Sequence, residues 1–320
     1  MGSEMCIRDR CHDDAKTNMI AESRTRLRRS MHFVPGANEK MLLKSLASEA
    51  DSLVLDLEDA VIPEQKTRTR QTIADWLREI DFDTKEVTVR INPLNTPWGF
   101  DDLKVTMENP PDAYVIPKPS HVTDLDLIDT ELTQLERFYG HPRRSVGLIL
   151  ITTETPAGAL NLPTFGTCPR IVAMSWGAED LSAALGAPRN RDKHSDYLSV
   201  YEYCRQQTLL CAVATGVQPI DSVFVDLANQ QAFERECYEG SSLGFTGKIT
   251  IHPDQIPIVN SAFTPTDADV DLAQRLLRAF EEAETEGKLA FRFEGQMVDA
   301  PHVNRARALL QRACQARGPE

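Results

Sequence analysis

The stretch Ser52-Leu53-Val54-Leu55-Asp56-Leu57-Glu58-Asp59 decides how the chain is read. It is apolar without alternation and then ends in acids. A strand with one wet face alternates, whereas a continuous apolar run fits a strand buried on both faces, as in a parallel sheet covered by helices. Similar runs recur outward from it: Met31–Val34, Val87–Ile91, Ala113–Ile116, Val146–Thr152, Ile171–Ser175, Ser222–Val225 and Ile249–Ile251. Helical patterns lie between them at Asn38–Glu49, Pro63–Glu79, Asp124–Tyr139, Ser195–Ala214 and Leu227–Glu239. The proline-rich segment Asn92–Pro110 leaves room for a small helix only. Eight strand–helix alternations predict a (β/α)8 barrel over residues 30–260, with a doubly wound open sheet as the alternative.

Beyond Pro253 the pattern changes. Thr266–Glu286 predicts one long charged helix with Thr266 as its N-cap and Gly287 past its end. An extended or hairpin segment follows over Phe291–Pro301, then a final helix over Val303–Ala316. Residues 261–320 are too few for an independent domain and read as an appendage that packs on the barrel or on a neighbouring subunit. Residues 1–29 carry seven basic and five acidic residues with no apolar periodicity. They are expected to be a disordered or non-native arm rather than a secretory signal.

Composition narrows the function. The 320 residues hold 35 Lys and Arg against 48 Asp and Glu, a formal charge of −13, which argues against nucleic-acid binding. No apolar stretch approaches the length of a membrane span. The seven cysteines are scattered, with neither a CxxC pair nor zinc-ligand spacing. Free thiols in a reducing compartment are therefore expected, the cytoplasm first and the mitochondrial matrix second.

In a barrel, chemistry sits at the C-terminal strand ends. Those ends bring Asp56, Glu58 and Asp59 from the second run, Arg90 and Asn92 from the third and Pro117-Lys118 from the fourth. The fifth gives Thr153-Glu154-Thr155, the sixth Gly177-Ala178-Glu179-Asp180 and the eighth His252-Pro253. An oxygen-rich rim with no His/Cys cluster suits a hard cation such as Mg2+ rather than zinc. Glu154 and Asp180, on adjacent strand ends, fit either a shared cation or rim ion pairs and helix caps. Arg90, inside an apolar strand, needs a partner. It fits either substrate binding at the mouth or a structural pair with Glu58 or Asp59. Asp59 also fits a helix cap.

Other motifs carry less. Gly240-Ser241-Ser242-Leu243-Gly244 matches G-x-S-x-G, but a helix precedes it and a strand follows, the reverse of a nucleophile elbow. Cys204 and Cys211 share a helix face. His252 fits a strand-end turn, and Lys248 starts the eighth strand, away from the rim.

The segments Arg29–Gly36, Leu55–Val61, Val89–Asn92, Glu154-Thr155, Ser175–Leu181, Gly247–Pro253 and Gly295–His302 together resemble the HpcH/HpaI aldolase–citrate lyase β-subunit family of the phosphoenolpyruvate-binding barrel superfamily. The malyl-CoA and citramalyl-CoA lyase-like branch is the most similar. The resemblance spans about Arg29 to Gln311. His32, where an aliphatic residue is expected, and Thr155–Leu160 depart from the usual pattern. The resemblance implies a Mg2+-dependent carbon–carbon lyase, with Mn2+ as a substitute, acting on a 3-hydroxyacyl-CoA thioester and yielding acetyl-CoA and a small 2-oxo acid. It implies Glu154 and Asp180 as metal ligands and Arg90 as a catalytic, substrate-binding residue. Gly177, Ala178 and Glu179 would contact substrate, and Asp56, Glu58 and Asp59 would support the site. Asp299 would be a catalytic residue on a C-terminal helical lid completing a neighbouring subunit's site, in a homotrimer or a dimer of trimers. A malyl-CoA thioesterase, and a citrate lyase β-subunit-like protein working only in a complex, are the alternatives. An aldolase acting on free 2-oxo acids is disfavoured by the lid segment.

Overall fold

The computed structural model describes residues 19–317 apart from Ala37 and Glu286. The chain divides into two compact units between Asn260 and Ser261.

The first unit is a closed barrel of eight parallel strands in chain order. They are β1 (Ser30–Pro35), β2 (Ser52–Asp56), β3 (Glu86–Arg90), β4 (Ala113–Pro117), β5 (Gly147–Thr152), β6 (Ile171–Trp176), β7 (Gln218–Asp221) and β8 (Gly247–Thr250). β1 pairs with both β2 and β8, so the sheet has no free edge and the open-sheet alternative is excluded. The surrounding helices are α1 (19–25), α2 (Glu39–Leu46), α3 (Lys66–Glu79), α4 (Gly99–Thr106), α5 (Val122–Tyr139), α6 (Pro156–Phe165), α7 (Ala178–Leu185), α8 (Ser199–Ala214), α9 (Gln230–Leu243) and α10 (Gln255–Phe263).

The strands read as unbroken apolar runs because each face is buried in a different core. Val54, Val115, Ile149, Ile151 and Ile249 fill the barrel. Leu53, Leu55, Val89, Leu148 and Leu150 pack in a second cluster that takes in Leu125, Leu132 and Leu162 of the helices. Side chains alternate along a strand. The face that carries Val54 inside the barrel therefore carries Asp56 at its upper end, and Arg90 sits beside Asp56 in register.

Four expectations are corrected. The seventh strand is Gln218–Asp221, not Ser222–Val225. A proline and two polar residues hide it, and its end is a buried charge cluster rather than apolar. Asp221 accepts from Trp176 Nε1 at 2.8 Å and pairs with Arg205 at 3.0 Å and Lys248 at 3.2 Å. Burial works to raise its pKa, but Lys248 and Arg205 overcome this and hold it at about 2. Secondly, α6 (Pro156–Phe165) and α7 (Ala178–Leu185) are helices whose bounds the sequence pattern does not mark. Pro156, Gly158 and Pro163 interrupt any amphipathic spacing in α6. Thirdly, α9 runs through Leu243, so Ser242 lies in its last turn and donates to the Tyr238 carbonyl at 2.7 Å. Fourthly, the arm assigned to residues 1–29 is too long. Residues 1–18 lie outside the described residues, but 19–29 belong to the barrel. Arg28 is buried in a two-point ion pair with Glu86, Nε to Oε2 at 2.7 Å, and also reaches Gln218. Gly247 lets this segment approach: a Cβ there would lie 1.8 Å from the Arg28 carbonyl oxygen.

His32 faces away from the barrel interior, buried against Thr250 Oγ1 at 3.0 Å. Burial, and then His252, lower its pKa from 6.5 to about 4. Between those values the unfolded chain binds more protons than the fold, so stability falls as pH drops through that window. A shift of this size corresponds to at most about 3 kcal/mol. We expect the melting temperature of the wild type to fall between pH 6.5 and 4.5 more steeply than that of a paired His32→Leu, Thr250→Val variant. Parallel slopes in a thermal scan would remove His32 as a source of acid sensitivity.

The second unit comprises α11 (Asp267–Thr285), a hairpin of β9 (Phe291–Phe293) and β10 (Gln296–Val298), and α12 (Ala300–Arg317). Thr266 caps α11 as expected: its hydroxyl accepts from the Asp269 N–H at 3.2 Å, and Asp269 Oδ2 accepts the Thr266 N–H in return at 3.0 Å. α11 and α12 pack together, and Phe280 meets Phe291 at 6.3 Å between ring centroids. The last helix starts at Ala300 rather than Val303, so Asp299 stands at its N-cap position.

Candidate active site at the barrel mouth

The upper ends of β2, β3 and β4, with the loops after β5 and β6, place five carboxylates around two cations. Asp56 grips the guanidinium of Arg90 with both oxygens, Nε to Oδ1 and Nη2 to Oδ2, each at 2.7 Å. The third nitrogen, Nη1, forms an ion pair with Glu58 Oε2 at 3.0 Å without a directed hydrogen bond. It lies 3.7 Å from Asp59. Phe33 closes the other side, with its ring centroid 4.6 Å from the guanidinium carbon. Burial works to lower the Arg90 pKa, and Asp56, Glu58 and Glu154 outweigh it, so the charge is locked on. The main partner of Arg90 is thus Asp56, not Glu58 or Asp59 as the structural reading of the sequence had it.

Lys118 is the second cation. Its Nζ donates to Glu58 Oε1 at 2.6 Å and lies 3.2 Å from Asp180 Oδ1 and 3.5 Å from Asp59 Oδ1. Its main-chain N–H donates to Glu154 Oε2 at 2.6 Å. A third cation, Lys66, donates through Nζ to the carbonyls of Leu57 and Glu58 and so braces the loop.

Glu154 is buried, about 4% exposed, and among the described residues its one hydrogen bond uses Oε2 and leaves Oε1 without a partner. Burial raises its pKa well above the usual carboxylate range, and neighbouring Glu58 and Asp180 add to the shift. Burial also raises the Glu58 pKa, against the pull of Arg90 and Lys118. Two non-glycine residues beside Glu154, Lys118 and Thr153, have φ of +53° and +56°. Such backbone is costly and persists only where surrounding structure enforces it. Gly177 makes room for the carboxylate: a Cβ there would lie 2.5 Å from Glu154 Cγ.

Gly177 is the N-cap of α7, followed by Ala178, Glu179 and Asp180 in the first turn. Their N–H groups belong to the anion-favouring end of the helix. The Glu179 carboxylate instead accepts from Asn190 Nδ2 at 2.7 Å, so its side chain ties down the following loop. His252 belongs to the turn after β8, its Nδ1 3.5 Å from Asp254. Lys248 faces Asp221 and Glu236 in the outer layer. An apolar pocket of about 310 Å³ adjoins Lys118, lined by Ile91, Leu94, Ile116, Leu127 and Ile128 among others.

Among the described residues no group of three or more His, Cys, Asp or Glu side chains is arranged to hold a metal ion by itself. Two carboxylates sharing one ion are the ordinary provision for Mg2+, which keeps several positions for water and substrate oxygens. The donors fit: every candidate is an oxygen, Glu154 Oε1 is unpartnered, and the negative charge exceeds what Arg90 and Lys118 neutralise. In the second unit, Asp299 Oδ1 lies 2.6 Å from His302 Nδ1, and its carboxylate is half exposed.

The Arg90 geometry yields an expectation. Arg90→Lys keeps the charge but loses the two-point grip on Asp56. Breaking a buried pair commonly costs about 3–5 kcal/mol, and a retained charge recovers part of that. A drop of several degrees in melting temperature should therefore accompany any loss of turnover, and an unchanged melting temperature would show that the Asp56 pair contributes little.

Sequence comparison places these residues among relatives. The profile of the HpcH/HpaI aldolase/citrate lyase family matches residues 29–253. The citrate lyase subunit beta of Escherichia coli K12 is 34% identical over 295 residues, which is 92% of this chain and 96% of that protein. A (3S)-malyl-CoA thioesterase of Cereibacter sphaeroides is 32% identical over 285 residues, 89% of this chain and 94% of the relative. The crystal structure of CitE from Mycobacterium tuberculosis in complex with magnesium, acetoacetate and coenzyme A superposes with a TM-score of 0.74 at 30% identity, covering 90% of this chain and 99% of that one. With a closed eight-stranded barrel and near full-length similarity to these proteins, the chain belongs to the HpcH/HpaI aldolase/citrate lyase family.

Proposed function

We propose that this protein is a Mg2+-dependent carbon–carbon lyase that cleaves, or forms, a 3-hydroxyacyl-CoA thioester such as malyl-CoA or citramalyl-CoA, with acetyl-CoA and a 2-oxo acid as the other side of the reaction. The observation that carries the reading is the Glu154 carboxylate: buried, half unpartnered, cradled against Gly177 and flanked by Asp180. A buried acid of that kind is stabilised by a hard cation. The magnesium, acetoacetate and coenzyme A held by the M. tuberculosis protein support the same substrate class here.

Glu154 and Asp180 would hold the ion. When bound, Mg2+ supplies Lewis acidity towards the 2-oxo acid. The first-turn N–H groups of α7, from Gly177 onward, receive the acid's carboxylate. Arg90, held rigid by Asp56, presents Nη1 to the thioester oxygen and stabilises the enolate that develops there. In the condensing direction Asp299 takes a proton from the thioester methyl, with His302 fixing the carboxylate's orientation. In this reading Asp299 comes from a neighbouring subunit of a homo-oligomer, a trimer or a dimer of trimers, and the second unit acts as a lid that excludes water.

The C. sphaeroides relative favours a second reading, hydrolysis of the malyl-CoA thioester. The E. coli relative favours a third, action only within a complex. Screening malyl-, methylmalyl-, citramalyl- and citryl-CoA with the purified chain and Mg2+ separates all three. A lyase releases acetyl- or propionyl-CoA with a 2-oxo acid, a thioesterase releases free CoA with the intact hydroxy acid, and a complex-dependent subunit turns over none of them alone.

A further inference from the structure

We propose that Lys118 is the resident counter-cation of the metal site, and that its ammonium and the ion exchange places on Asp180. This rests on the reading of Glu154 and Asp180 as Mg2+ ligands and goes beyond it by assigning a residue that tunes how tightly they bind the ion.

Lys118 touches both carboxylates by different groups: its N–H holds Glu154 Oε2, and its Nζ sits 3.2 Å from Asp180 Oδ1. The left-handed backbone at Lys118, φ +53°, is what allows N–H and side chain to serve the same cluster. The N–H contact occupies one Glu154 oxygen and leaves the other bare, so it orients a ligand without competing for it. The ammonium does compete. Mg2+ bonds carboxylate oxygens at about 2.1 Å. An ion on Asp180 Oδ1 would therefore lie within a few ångströms of Nζ, where two positive charges repel strongly in a partly desolvated mouth.

The ammonium also has a place to go. Glu58 Oε1 already accepts from Nζ at 2.6 Å, and Asp59, half exposed, lies 3.5 Å away. Releasing Asp180 therefore strands no charge: Lys118 stays paired with Glu58 and Asp59 while the ion takes Asp180. Before the ion arrives, the same ammonium offsets repulsion among Glu58, Asp59 and Asp180 and keeps the α7 N-terminus docked. Lys118 thus acts as a positioning residue through the carboxylates.

The test is calorimetric titration of MgCl2 into the full-length protein freed of metal with EDTA. Lys118→Met removes the competing charge and should tighten Mg2+ binding about five- to tenfold, while lowering the melting temperature of the metal-free protein. The rise in melting temperature on adding Mg2+ should grow in step. A general structural defect would weaken Mg2+ binding instead. Lys118→Arg keeps the charge and adds a planar fork for Asp180, so Mg2+ should bind several-fold more weakly. This second variant decides the matter if Lys118→Met folds poorly. Unchanged or weaker Mg2+ binding by folded Lys118→Met, or unchanged binding by Lys118→Arg, would overturn the exchange. No Mg2+ binding to the wild type would overturn the metal assignment itself, and the exchange with it.

Discussion

Glu154→Gln is expected to abolish Mg2+-dependent turnover while leaving the protein as stable as the wild type or more so. The two effects separate because of where the side chain sits. A carboxylate whose pKa is driven up by burial and by Glu58 and Asp180 costs stability when ionised, and a neutral amide of the same shape relieves that cost. The amide oxygen can still accept from the Lys118 N–H, but the amide nitrogen cannot bind a cation. Loss of several kcal/mol of transition-state stabilisation corresponds to roughly a thousandfold or greater fall in kcat. Gly177→Ala should approach the same loss by another route. The added Cβ would meet Glu154 Cγ at 2.5 Å, so one of the two must shift, and the carboxylate turns from its position. Turnover assays beside thermal melts check both variants. Retained activity in either, with the fold intact, would mean that the Glu154 oxygens do no chemistry.

The second large effect concerns Asp299. Asp299→Ala and Asp180→Ala should each be inactive alone. If sites are shared between subunits, co-assembly at equal amounts gives roughly a quarter of sites an intact metal shell from one chain and an intact Asp299 from the other. Partial recovery is then expected in verified mixed oligomers. The competing role of Asp299 is structural. It stands at the N-cap of α12, its carbonyl accepts from the N–H groups of His302 and Val303, and its carboxylate pairs with His302. A purely capping residue would cost about 1 kcal/mol on replacement by Ala and would leave turnover alone. No recovery in mixed oligomers would place the residue in its own subunit's site or outside catalysis.

The strands with two apolar faces were legible because burial on both sides leaves no polar alternation to misread. β7 was not, since Gln218-Pro219-Ile220-Asp221 is stabilised by the Trp176 indole N–H of β6 and by charges from β8 and α8, which no local pattern reveals. Arg28 reads from sequence as part of a charged arm because its burial depends on a partner 58 positions away, Glu86. At the mouth, the acids and Arg90 were legible from strand register alone. Their pairing was not: Asp56, rather than Glu58 or Asp59, takes the Arg90 fork because the two residues stand directly opposite in the β2–β3 ladder. The part played by Lys118 was hidden for a different reason. Its place at a strand end is written in the sequence, but the left-handed turn that sends its N–H to Glu154 and its ammonium to Asp180 is not.

The most direct measurement follows both products of malyl-CoA with the purified chain, with Mg2+ and then with excess EDTA. Acetyl-CoA and glyoxylate should appear in equal amounts, with turnover stopped by EDTA and restored by Mg2+. Free CoA appearing with malate, or acetyl-CoA formation that continues at full rate in EDTA, would contradict the Mg2+-dependent lyase reading.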